Sequence, residues 1–194
     1  MRRKSFDKIV SATGLLLAAV LLAASGLLFW ANNFVGSNVR TQLTAQRIFF
    51  PKVGSESLSA PDVKPFLTKY AGQQLTNGEQ AKAYADHFIA VHLQGIGGGK
   101  TYSELSAQAQ AAPTDTVLAG KVASVFRGET LRGLLLNAYA FGKMAQVALI
   151  AAFISLAAGS LLVLLSVLGI FHARRTPEDT EVHVPGWHPE HLHT

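Results

Sequence analysis

The sequence predicts an all-α membrane protein in which two transmembrane helices flank an extracytoplasmic helical bundle. Three observations lead there. Two uncharged apolar stretches, residues 9–31 and 144–171, each exceed the ~20 residues a helix needs to cross a hydrocarbon core. Between them, apolar residues recur at helical spacing, and no stretch alternates convincingly with period two. Lys and Arg crowd the terminal side of both stretches.

Composition narrows the chemistry. The chain has no cysteine, which excludes a disulfide framework, a thiolate metal site and a cysteine nucleophile. Its net charge of +5 divides into +3 over the first eight residues, +4 over residues 32–143 and −2 after the second stretch. No dense basic stripe with interleaved aromatics results, so nucleic acid is not an expected partner. No cofactor is implied.

Residues 1–8 form a basic N-terminus carrying Arg2, Arg3, Lys4 and Lys8. The run of 23 residues that follows is longer than the 7–15 of a signal-peptide core, so it reads as an uncleaved signal anchor. Arg174 and Arg175 follow the second stretch, and the segment between is too long for its own charges to count. The expected placement is a multi-pass plasma-membrane protein with both termini cytoplasmic and residues 32–143 outside. Phe29, Trp30, Phe34, Tyr139 and Phe141 suit the outer interface. Small residues recur four apart at Gly14 and Ala18, and at Ala151, Ser155 and Gly159. They fit close packing of the two spans as a hairpin, or a face for a second copy or a partner's span. No heptad is evident.

In the outer segment, the first helix continues past Trp30 and stops before Pro51. Residues 51–61 read as a loop, and a short helix follows near 62–70. Residues 77–93 form the best-marked helix, with Ala81, Tyr84, Ala85, Phe88 and Val91 on one face. Thr101 and Glu104 form a capping box. A further helix is expected from Pro113, with Leu118, Val122, Val125 and Phe126 buried, running into the second span. The expected result is an outer bundle of four to five helices.

Candidate sites are few. Gln94 to Thr101 (QGIGGGKT) nearly matches a phosphate loop, but the first glycine is missing and a helix precedes it, so it reads as a helix terminator. His87 and His92 lie five apart and fall on opposite flanks of their helix, unlike a metal pair at i, i+4. His183, His188, His191 and His193, with His172, give the 172–194 tail the donor density to chelate Zn²⁺, Cu²⁺ or Ni²⁺, although Pro185, Gly186 and Pro189 make it flexible. Arg127, Glu129 and Arg132 stand just before the second span. They read as a mutually paired interface collar, or as a contact for anionic lipid or a partner.

The IFFP after the first span and the stretch GQQLTNGEQAKAYADHFIAVHL resemble a family of uncharacterised two-span membrane proteins of actinobacteria. The resemblance covers nearly the whole chain up to the His-rich tail. Some members are labelled aromatic ring-opening dioxygenases, yet no iron-binding His/carboxylate constellation is visible here, and the family supplies no catalytic residue. The expected function is therefore non-enzymatic: a scaffold or interaction protein of the cell envelope. Its partners would be the lipid bilayer and a membrane-protein or envelope component, a second copy included. The alternative is a small sensor or carrier, taking metal at the tail or an apolar ligand within the outer bundle.

Overall fold

A computed structural model describes residues 3–175 and 177. Among these the chain is all-α: α1 (Arg3–Ala45), α2 (Glu56–Ser59), α3 (Lys64–Leu67), α4 (Gly78–Tyr84), α5 (Ala90–Gly97), α6 (Tyr102–Ala111) and α7 (Thr116–Arg175). A 3₁₀ turn (Thr68–Tyr70) follows α3, and a π-helical turn (Ala85–Ile89) joins α4 to α5. Two of these helices, α1 and α7, are long and apolar enough to cross a membrane. The chain divides into two compact units, Met1–Phe29 with Leu149–Thr194, and Trp30–Ala148.

The first unit pairs the N-terminal part of α1 with the C-terminal part of α7, antiparallel. Its buried positions are small: Ser11, Ala18 and Ser25 on α1, and Ala152, Gly159, Ser166 and Ala173 on α7. Both sets step by seven. No heptad of large apolar residues marks the sequence. Here the repeat is carried by small ones, which let two backbones approach closely. Ser25 Oγ donates to the Ala152 carbonyl at 2.9 Å. A Cβ at Gly14 would overlap Ser166 Oγ, and one at Gly169 would overlap Ser11 Oγ. Each helix thus carries one Ser-x-x-Gly, and each serine occupies the space above the other helix's glycine. Phe29 meets Phe153 edge to face at 5.1 Å. The large side chains point the other way: Leu16, Val20, Leu161, Leu164 and Leu168 are more than half exposed.

The second unit reverses that arrangement. Its core gathers Leu43, Phe50, Leu58, Val63, Leu67, Leu75, Ile89, Leu93, Leu105, Val125 and Leu135. α1 ends at Ala45, and Arg47 turns the chain with a positive φ of 52°. The next four residues then run extended against residues 72–75. Leu75 N donates to the Ile48 carbonyl at 2.9 Å, Phe50 N to Gln73 O at 2.9 Å and Gly72 N to Pro51 O at 3.1 Å. The segments Ile48–Pro51 and Gly72–Leu75 are therefore hydrogen-bonded to each other.

Several expected boundaries shift. Residues 51–61 are not all loop, since α2 forms one turn within them. The helix expected from Pro113 begins at Thr116, because Asp115 Oδ1 accepts from Val117 N (3.0 Å) and Leu118 N (2.9 Å) and so caps it. The capping box forms: Thr101 Oγ1 accepts from Glu104 N, and Glu104 Oε2 accepts from Thr101 N at 2.7 Å. Along α4, the π turn and α5 the buried apolar side chains are Ala81, Ala85, Ile89 and Leu93, with Tyr84, Phe88 and Val91 only partly buried. A spacing of four drifts off one face of a 3.6-residue helix. The wider turn at Ala85–Ile89, where Ala90 N–H reaches back to Ala85 O, offsets that drift.

Candidate binding grooves

Two grooves of the second unit stand out, one apolar and one polar. The apolar groove, about 560 Å³, runs between α1 residues 34–46 and α7 residues 131–141. Phe34, Val35, Val39, Leu131, Leu134 and Phe141 make most of its surface, with Asn38, Gln42, Gln46 and Asn137 along it. No charged side chain lines it. Phe34, Leu134 and Phe141 are more than half exposed, so the groove opens widely to its surroundings.

The polar groove, about 460 Å³, is bordered by Asn32, Arg40, Asn77, Glu79, Tyr139 and Lys143 among others. Its floor depends on the GQQLTNGEQ turn. Asn77 Oδ1 accepts from Gln80 N at 2.9 Å and opens α4. Buried Gln80 in turn accepts from Thr76 N at 2.8 Å and donates to Gln73 Oε1 at 3.3 Å. Gln74 Nε2 reaches the Thr44 carbonyl at 2.9 Å near the end of α1. Gly78 lies where α7 passes: a Cβ there would come within 3.0 Å of Tyr139 Cα and 3.1 Å of the Ala138 carbonyl oxygen. Above this floor Lys143 Nζ pairs with Glu79 at 2.5 Å and donates to Gln146 at 3.1 Å. The hydrogen bond and charge of Glu79 raise the Lys143 ammonium above its ordinary range.

A charged cluster lies beside the π-helical turn. Asp86 pairs with Lys82 and with Arg132 Nη2 at 3.5 Å, and Arg132 Nη1 meets Glu129 at 3.3 Å. Burial pushes the Asp86 carboxyl up, but the hydrogen bond and charge of Lys82, joined by Arg132, hold it below the usual carboxylate range. The hydrogen bond to Asp86 raises Lys82, against a desolvation that lowers it. Arg132 Nε is buried without a hydrogen-bond partner.

The expected site residues fall as follows. Of the three collar residues, Arg132 turns to Asp86 as well as Glu129, which ties α7 to the π turn, while Arg127 is exposed. Gly159 is buried in the seam of the first unit; Ala151 and Ser155 are half-buried beside it. His183, His188, His191 and His193 lie outside the described residues. His87 stacks on Phe66 at 3.6 Å, and His92 lies 4.3 Å from Phe88 with Nδ1 at 2.7 Å from the Phe88 carbonyl. The two histidines thus serve separate aromatic contacts. Among the described residues no three His, Cys, Asp or Glu side chains are grouped to hold a metal. The glycine run ends α5, with Gly98 (φ +59°) and Gly99 (φ +78°) in the left-handed region and Gly99 N bonded to Gln94 O at 2.9 Å. That is a helix C-terminus, whereas a phosphate loop needs the amides of an N-terminus.

Both grooves escaped the sequence reading, because each depends on where residues 30–46 and 131–146 meet. Only the polar residues on the two helices, Asn38, Gln42 and Asn137 among them, hinted at surfaces not wholly committed to packing. Compared with protein-family models, curated proteins and solved structures, the chain finds no match.

Proposed function

We propose that the chain is an integral membrane protein of the cell envelope that works by contact rather than catalysis. Both long apolar helices cross the bilayer, the two termini are cytoplasmic, and residues 32–143 stand outside. Support for the spans comes from their surface. Only 11% of the most apolar window of either helix is buried within the protein, so their large apolar side chains need an apolar solvent. Arg2, Arg3, Lys4 and Lys8 before the first span and Arg174 and Arg175 after the second support the orientation. Ring-opening chemistry draws no support from the residues.

The observation that carries the reading is the apolar groove between α1 and α7. A formed, uncharged groove of this kind receives an apolar segment of an envelope partner, and the polar amides along it fix orientation. A small-molecule carrier is the second reading. The same groove favours it, since its volume lies within the roughly 300–1,000 Å³ of ligand pockets.

Threading is tested in this cysteine-free chain by single cysteines at Ser57, Ser103 and Thr180. An impermeant maleimide on whole cells should label the first two and spare the third; labelling of Thr180→Cys alone would invert the topology. Function is tested with a photocrosslinker at Phe141, in native membranes, with Leu134→Glu lining the groove with charge. A discrete protein adduct that the charged groove loses supports the scaffold. An extractable small molecule lost in the same way supports the carrier, and adducts indifferent to the charge would remove the groove from both readings.

A further inference from the structure

The polar groove holds more positive charge than it neutralises. Glu79 is its only acid, and it is engaged by Lys143 at 2.5 Å. The neighbouring acid, Asp86, is taken by Lys82 and Arg132. Arg40 is exposed on the groove and has no ion-pair partner among the described residues. Lys143 lies 5.5 Å from the centre of the Tyr139 ring on the groove wall, and Lys82, outside the groove, lies at the same distance from that ring. The neutral groups of the groove, the Tyr139 hydroxyl and the amides of Asn32, Asn77 and Gln146, are all able to donate. With Arg40 and Lys143 against Glu79, the groove carries a surplus of one positive charge.

The groove's place in the chain says which anion arrives. Arg40 follows the first apolar stretch by nine residues, and Lys143 immediately precedes the second. Asn32 and Gln146, at the groove's other border, adjoin or enter those stretches. If both stretches span the bilayer, which is the reading above, the groove is built from residues at the level of lipid headgroups.

We propose that this groove binds the phosphodiester of an anionic phospholipid, with the acyl chains left in the bilayer. Arg40 supplies the planar fork that pairs two phosphate oxygens. Lys143 supplies a second cation that it shares with Glu79, so the carboxylate competes with the ligand. A surplus of one charge suits a headgroup with net charge −1 and discriminates against a zwitterionic one. A free phosphate has the same oxyanion, but it lacks the tether that concentrates a headgroup beside the groove.

The test uses the purified full chain in an uncharged detergent, with ligand retention read by native mass spectrometry. Phosphatidylglycerol should be retained at least ~10-fold better than phosphatidylcholine, and Arg40→Gln should remove most of that preference. Glu79→Gln should raise phosphatidylglycerol retention, because Lys143 is then released to the ligand. A merely structural ion pair would not give this sign. Lys121→Gln, exposed and outside the groove, should change nothing. Equal retention of the two lipids, weaker retention in Glu79→Gln, or competition by inorganic phosphate at equal concentration would each overturn the site. Carbonate extraction of membranes is scored separately. A chain washed off membranes that still selects phosphatidylglycerol through Arg40 would sink the two-span reading and leave the site. A chain that stays in the membrane and ignores headgroup charge would sink the site alone.

Discussion

The two units of this chain are packed with opposite materials. In the unit of residues 30–148, large side chains go inward: Phe50 is 2% exposed, and Leu67 and Leu75 are fully buried. In the other unit the contact is lined with Ser, Ala and Gly, and Leu164 is 62% exposed. The difference fits the proposed placement, with water around one surface and lipid around the other. Burying Phe50 away from water is favourable by the transfer of its whole ring, whereas lipid is as apolar as leucine and offers no such gain. Where the solvent does not push helices together, close approach and dispersion must hold them, and small residues at the seam provide it.

The largest effect should come from breaking the first kind of packing. Phe50 meets Tyr70 at 5.1 Å and Tyr84 at 5.4 Å, and its backbone joins the extended pairing with Gln73. Phe50→Ala should cost about 3–5 kcal/mol. The matching truncation of an exposed α7 residue, Leu164→Ala, should change stability in detergent by well under that. Thermal melts followed by circular dichroism check both, and equal losses would erase the distinction between the units.

The seam breaks by filling rather than emptying. A Cβ at Gly159 already lies 3.0 Å from Leu22 Cγ and 3.3 Å from Leu21 Cβ, so Gly159→Leu has no room. It should cost about 1–3 kcal/mol and part the helices. A cysteine pair at Ser11 and Gly169 reports this directly, because the two sites touch across the seam. Oxidation should crosslink the pair efficiently, and much less so once Gly159→Leu is added. Unchanged crosslinking would show that the seam does not depend on small residues.

What was legible in the sequence follows the same division. Long uncharged runs and local capping chemistry are one-dimensional signals, so α1, α7, the Thr101–Glu104 box and the end of α5 at Gly98 could be read directly. The seam was half legible. Gly14, Ala18 and Gly159 are marked by a spacing of four, whereas Ser11 and Ser166, which fill the space over Gly169 and Gly14, look unremarkable until the helices are set antiparallel. The extended pairing of Ile48–Pro51 with Gly72–Leu75 could not be read, because strand periodicity needs longer runs. The π turn hid because its buried residues recur at four, close enough to an ordinary amphipathic helix. Both grooves are products of long-range contact between α1 and α7, and no local pattern encodes them.

A smaller effect concerns the charge pairs of the unit of residues 30–148. Asp86 has its pKa held down and Lys82 has its own raised, so their contributions carry opposite pH signs. The Asp86 contribution is present above the ordinary carboxylate value of ~4 and is lost as pH falls through its lowered pKa. That of Lys82 is present below ~10 and is lost as pH rises through its raised pKa; Tyr84, raised by burial, adds loss in the same direction. The pairs are partly exposed and screened, so Asp86→Asn should cost only roughly 0.2–1 kcal/mol at neutral pH. Melts across pH should show a plateau between ~4 and ~10, with the variant's deficit vanishing in acid. A deficit that persists at pH 2 would mean that Asp86 acts through packing instead.

The smallest effect is the sharpest probe of the seam's surroundings. Ser25 Oγ donates to the Ala152 carbonyl at 2.9 Å, and the serine is 2% exposed. That carbonyl belongs to a continuous helix, so the serine adds a second bond to an acceptor already used by the backbone. Ser25→Ala therefore strands no donor and leaves the carbonyl satisfied, while the seam keeps a residue small enough for close approach. Such interhelical bonds average about 0.6 kcal/mol in membrane proteins, and the loss should be of that size. Ser25→Val removes the same bond but adds bulk, and should cost more, in line with Gly159→Leu. If alanine proves as damaging as valine, the hydrogen bond rather than close approach holds the pair. The contrast between the two units would then lie in polarity and not in side-chain size.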